Sequence, residues 1–156
     1  MTPEEIRVDV EDVILKPIGE VFGAIVDPGK LAGFFVSSAS GPIREGETVQ
    51  WSFADSGAGV EVAVIEVDEP RRIVFAWEAS GVPTQVEILL KAIGDGVTAV
   101  RVTEDGWEMD EEGVLCALGQ TQGWTDFLCS MKAFLYCGIK LRAGITSDMY
   151  GAFEEE

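Results

Sequence analysis

The sequence predicts an α+β domain in which a curved antiparallel sheet of about six strands wraps one long C-terminal helix, with two short helices after the first strand. Three observations predict it. Ile6, Val8 and Val10 alternate with Arg7, Asp9 and Glu11, the period of a half-buried strand. Between Thr48 and Thr103 five further strand-like segments follow one another across short turns, the pattern of an antiparallel meander. Then Trp124, Phe127, Leu128, Met131, Phe134 and Leu135 fall at helical spacing and form one apolar stripe.

Taken in order, the first strand runs on through Val13, Ile14 and Leu15, with a bulge expected where the parity changes, and ends at Pro17. Ile18, Val21, Phe22 and Ile25 mark a helix over 18–26, with Pro17 suited to its first turn. Asp27-Pro28-Gly29 breaks it, and 30–35 reads as a second short helix ending in Phe34-Phe35. In the meander, Val49, Trp51 and Phe53 share a face, and a Gly-rich turn is expected over 55–59. A nearly continuous apolar strand spans 61–67. Ile73, Phe75 and Trp77 share the next face, followed by Val86, Ile88 and Leu90. Gly94-Asp95-Gly96 is a hairpin signal, after which Val100 and Val102 point inward. Residues 104–112 read as an irregular acidic loop, and Gly138 as the stop of the long helix. The expected organisation is one domain over 1–141 and a loosely held acidic tail over 142–156.

The chain has 156 residues, with 28 acidic and 11 basic side chains, a formal charge of −17 and no histidine. Absence of histidine excludes catalytic triads, imidazole bases and histidine metal sites. The acidic excess argues against nucleic acid and anionic membranes. No apolar run approaches the roughly 18 residues of a membrane span. Cys116, Cys129 and Cys137 are expected to be buried, reduced thiols. On a helix Cys129 and Cys137 would stand about 12 Å apart in rise, too far to bridge. The reading is a cytoplasmic protein with no cofactor and no metal.

The meander buries one face and the helix has one stripe, so the stripe packs across the concave face of the sheet: a helix-grip arrangement. Three segments resemble the START-like SRPBCC superfamily, in the branch of the activator of heat-shock protein 90 ATPase. The first is Pro17-Ile18-Gly19-Glu20-Val21-Phe22 through Val26-Asp27-Pro28, with Leu31 and Phe34-Phe35. The second is Glu69-Pro70-Arg71-Arg72-Ile73-Val74-Phe75-Ala76-Trp77. The third is Gly123-Trp124-Thr125-Asp126-Phe127-Leu128, continued by Met131-Lys132-Ala133-Phe134-Leu135. The sequence departs from that pattern at Phe34-Phe35, where tryptophan is common, and at Thr103-Glu104-Asp105-Gly106-Trp107, where many relatives carry a histidine. The resemblance implies a START-like fold. In the wider superfamily it implies binding of lipids, hormones or polyketides, or cyclase activity.

By parity with Val100 and Val102, Glu104 points toward the sheet–helix space at the end of its strand, which makes it the candidate catalytic acid or base. The alternative is a strand-end carboxylate reaching solvent at a pocket mouth. Phe34, Phe35, Trp51, Phe53, Phe75, Trp77, Trp124, Phe127 and Met131 are the candidate ligand-binding set, since aromatic walls with a few polar groups hold small apolar molecules. Phe34 and Phe35 are the expected gate. Gln120 and Gln122 either donate to a ligand or cap the helix, and Arg71-Arg72 reads as a turn. The favoured expectation is a small apolar ligand (lipid, aromatic or polyketide-like) held between sheet and helix. A cyclase or hydrolase using Glu104, and an interaction module with a chaperone partner, stand as alternatives. A homodimer stays open.

Overall fold

The computed structural model describes residues 5–54 and 58–154. Seven strands form one antiparallel sheet: β1 (Ile6–Ile14), β2 (Ser38–Ala39), β3 (Thr48–Phe53), β4 (Ala58–Asp68), β5 (Arg72–Trp77), β6 (Thr84–Gly94) and β7 (Val97–Trp107). Their spatial order is β1-β7-β6-β5-β4-β3-β2, so β1 pairs with the last strand of the meander and the two-residue β2 forms the other edge. Among the described residues three α-helices, α1 (Ile18–Val26), α2 (Pro28–Leu31) and α3 (Glu111–Cys137), and a 3-10 turn, Ser147–Met149, complete the fold. The helix-grip expectation is met. The expected Gly-rich turn over 55–59 lies largely outside the described residues, as do the first four residues and the last two.

The core lies between the concave face of the sheet and α3. It takes Val49 and Trp51 from β3, Val62 and Val64 from β4, and Ile73, Phe75 and Trp77 from β5. Val86, Ile88 and Leu90 come from β6, and Val100 and Val102 from β7. The strand-to-strand period of two produces this set directly. The outward face is wired by charge. Arg72 pairs with Glu87 at 2.6 Å and with Glu66, and the Arg101 Nε–H donates to Asp9 at 2.8 Å. Arg72 is therefore the first residue of β5 and ties it to both neighbouring strands, rather than lying in a turn.

Four local expectations are corrected. β1 keeps its parity through Ile14; its irregularity lies at Ile6/Arg7 against β7, not near Val13. Asp12 thus faces α3, where Lys132 meets it at 2.7 Å. The second short helix is Pro28–Leu31, and Asp27 starts it rather than merely ending α1: its Oδ1 accepts from the N–H of Gly29 at 2.8 Å and of Lys30 at 3.2 Å. The acidic stretch 104–112 is not irregular, because β7 runs to Trp107 and Asp110 caps α3 by accepting from Gly113 N–H. Cys129 and Cys137 are exposed and Cys116 half-buried, since the first two lie off the apolar stripe.

Helix α3 has 27 residues and fixes the site that follows. Its start needs glycine, because a Cβ at Gly113 would stand 2.0 Å from the Glu108 carbonyl oxygen. Its end needs glycine too, because Gly138 adopts a left-handed φ of 68° and donates its N–H back to Ala133 and Phe134.

Candidate functional site: an aromatic cleft over a buried carboxylate

A cleft of about 930 Å³ opens where one end of the sheet meets the middle of α3. Phe35, Phe53, Trp77 and Trp124 supply its aromatic surface. Ala58, Gly59 and Val60 of β4 form one side, and Gly119, Gln120 and Gly123 of α3 another. Leu141, Arg142, Ile145 and Tyr150, from the segment after α3, close a further wall. Arg142 reaches back: its Nε–H donates to Asp126 at 2.7 Å, and its guanidinium lies 5.9 Å from the centre of the Phe35 ring. The segment expected to be a loose tail thus contributes part of the wall.

The rings form one network. Phe35 packs edge-on against Phe127 at 4.7 Å and Phe53 at 5.2 Å, and lies 5.7 Å from Trp124. Trp77 and Trp124 are stacked at 5.5 Å with 30° between planes. Trp51 bridges Phe75 and Trp77 beneath them. Of the nine residues expected to hold a ligand, Phe35, Phe53, Trp77 and Trp124 line the cleft. Phe34, Trp51, Phe75, Phe127 and Met131 are closed core behind it, each at most 2 % exposed. Phe34 and Phe35 do not project as a gate: Phe34 is packed on Phe127 and Phe134, and Phe35 is part of the wall.

Glu104 lies directly behind this wall and is fully enclosed, with 0 % exposure. It follows Val100 and Val102 on the inward face of β7, as parity requires, but it does not end the strand or reach solvent. Its carboxylate is a hub for donors from three elements. Oε1 accepts from the Trp124 indole N–H at 2.8 Å and from the Gln120 amide at 3.0 Å. Oε2 accepts from the Trp77 indole N–H at 3.0 Å, from the Thr84 hydroxyl at 2.6 Å and from the same Gln120 amide at 3.3 Å. An indole nitrogen can only donate, so each ring is oriented by the oxygen it finds. Both cleft tryptophans are thereby locked by one acidic side chain, and β5, β6, β7 and α3 are tied together at one point.

Parity located Glu104, but its partners were only partly legible. Gln120 does not cap α3, which starts at Asp110; its amide bonds Glu104 from within the helix, at the cleft wall. Thr84, the two helix glycines and Arg142 carried no sequence signal of a role here. Among the described residues there is no group of three or more acidic or cysteine side chains that would hold a metal ion.

A curved antiparallel sheet gripping a long helix, with a cleft at one end of their interface, places the molecule among START-like helix-grip proteins. Residues 16–136 match the sequence profile described as Activator of Hsp90 ATPase homolog 1-like protein, and the chain belongs to that family. Its structure is similar to that of the protein SSP2350 from Staphylococcus saprophyticus, with a TM-score of 0.76 and 29 % identity over 89 % of this chain and 98 % of that one. It is also similar to DynU16, a protein of the dynemicin biosynthetic locus, with a TM-score of 0.76 and 25 % identity over 88 % of this chain but only 49 % of DynU16. The Aha1 dimer from Colwellia psychrerythraea shares the fold, with a TM-score of 0.71 and 20 % identity over 85 % of this chain and 98 % of that one. None of the curated proteins matches the chain. Among the described residues no helix is long and apolar enough to cross a membrane.

Proposed function

We propose that the protein binds a small, largely apolar molecule with an aromatic or polyketide-like body, in the cleft between the sheet and α3. The observation that carries this reading is the pairing of an open space of about 930 Å³ with the aromatic side chains of Phe35, Phe53, Trp77 and Trp124 at the sheet–helix junction. A space of this size falls within the range of ligand sites, roughly 300–1,000 Å³. Phe35, Phe53, Trp77 and Trp124 are the proposed contact residues. Phe34, Trp51, Phe75, Phe127 and Met131 act behind them as support. On this reading Glu104 positions the cleft wall: it orients the two indoles and holds the Gln120 amide. Membership of the family and the likeness to DynU16 support a binding role on this scaffold.

The test is titration with the uncharged fluorophore Nile red. Saturable binding at one site, with quenching of tryptophan emission, is the expected result. Gly123→Leu, which projects a side chain into the cleft, should abolish it while the far-ultraviolet circular dichroism stays the same. Binding that never saturates, or that survives Gly123→Leu unchanged, would overturn the reading.

A further inference from the structure

We infer that the ligand carries a protonated amine, and that this ammonium takes the place of the Gln120 amide on Glu104. The inference rests on the cleft being a ligand site, and it names the chemistry the site selects.

A fully buried carboxylate is ordinarily paired with a cation. Glu104 is fully buried, yet every partner described for it is a neutral donor. Three of these partners are fixed: Trp77, Thr84 and Trp124 are 6 %, 4 % and 2 % exposed and held by packing. Gln120 differs. Its residue is half-buried, its side chain forms part of the cleft wall, and one amide nitrogen spans both carboxylate oxygens. It is the partner that can swing toward the cleft without disturbing the core.

An ammonium entering at that point meets both oxygens at about the distance the amide nitrogen now keeps, 3.0 and 3.3 Å. It brings three donors and a full charge, and charge-assisted bonds are about twice as strong as neutral ones. The remaining charges leave the same sign in excess: Glu78 and Asp126 line the cleft against one cation, Arg142, which pairs with Asp126, and the chain carries a net charge of −17. The aromatic body of such a ligand then rests on Phe35 and Phe53.

The test uses a matched pair, naphthylethylamine and naphthylethanol, titrated against the full chain at neutral pH by calorimetry. The amine should bind at least about tenfold more tightly than the alcohol. In Glu104→Gln that preference should collapse to about equality. Because Glu104→Gln is expected to lose stability, Gln120→Lys serves as a second variant: its own ammonium would occupy the carboxylate and remove the preference while the alcohol still binds. Equal binding of amine and alcohol by the native chain would overturn this inference and leave the cleft reading standing. A preference that persists in Gln120→Lys would assign the amine to the surface carboxylates and overturn it as well. Failure of both compounds to bind would remove the cleft reading itself.

Discussion

Replacing Glu104 by glutamine tests the hub most directly, because it exchanges one oxygen for an NH2 group and changes almost no volume. The carboxylate offers two acceptor oxygens, each engaged by one indole: Trp124 on Oε1 and Trp77 on Oε2. An amide offers one oxygen. Whichever way it is placed, its nitrogen faces an indole N–H that cannot accept. The Thr84 hydroxyl can rotate and the Gln120 amide can flip, so those two adapt; one indole is left buried without an acceptor. An orphaned buried donor costs about 1–3 kcal/mol, and the surviving bonds lose their charge assistance, so Glu104→Gln should cost about 2–4 kcal/mol. For a chain of this length that lowers the melting temperature by roughly 5–15 °C. Urea unfolding would measure it, with the slope unchanged. The same logic predicts non-additivity with Trp124→Phe. A phenyl ring has no donor to orphan, so the double variant should recover at least about 1 kcal/mol relative to the sum of the singles. A Glu104→Gln protein within about 0.5 kcal/mol of the native one, or a strictly additive cycle, would refute the hub argument.

Three further outcomes are expected. Gly123→Ala should stabilise the protein by about 0.5–1 kcal/mol in thermal unfolding, because a Cβ there has no neighbour within 4 Å, while weakening Nile red binding by narrowing the cleft. Lys132→Met should cost about 1 kcal/mol at neutral pH through loss of the Asp12 contact across α3 and β1. The hydrogen bond to Asp12 holds the Lys132 ammonium above its ordinary value of 10.5, so the stabilisation is fully present below that pH. It is lost as pH rises through the raised folded value, and the two proteins should converge in alkaline denaturation series. With a thiol reagent, Cys129 and Cys137 should react before Cys116, and a ligand in the cleft should slow Cys129 alone, since only Cys129 of the three lines it.

Most of the sheet was legible because its inward residues are large, apolar and strictly alternating. Val100, Val102 and Glu104 show the same rule placing a charged residue inside, which hydropathy alone would have put in solvent. Where the reading slipped, the deciding contacts lie far away in sequence or the residue type misleads. Asp12 broke the apparent parity of β1 because its partner, Lys132, lies far away in sequence. The cysteines were assigned to the core by residue type, although Cys129 and Cys137 lie off the apolar stripe. Phe34 and Phe35 carried the same sequence signal, yet one is core and the other cleft wall. That distinction depends on where α3 crosses the sheet, and no local pattern encodes it.

The first half of α3 was the longest stretch left without a reading, and the reason bears on function. From Glu111 to Gly123 the residues turned inward are Gly113, Ala117 and Gln120, too small or too polar to register as an apolar stripe. The bulky residues Val114, Leu115 and Leu118 are 45 %, 61 % and 63 % exposed. Gly119 and Gly123 each weaken a helix by about 1 kcal/mol relative to alanine, and neither has a steric need to be glycine. A helix built only for stability would replace Gly119 and Gly123 and would not leave Leu115 and Leu118 exposed. They agree instead with a helix that must leave room on one side for the cleft and present an amide to Glu104. A conflict between local preference and final structure is expected where a site overrides stability. Of these residues Gly119, Gln120 and Gly123 line the cleft, and from Trp124 onward the ordinary apolar stripe resumes.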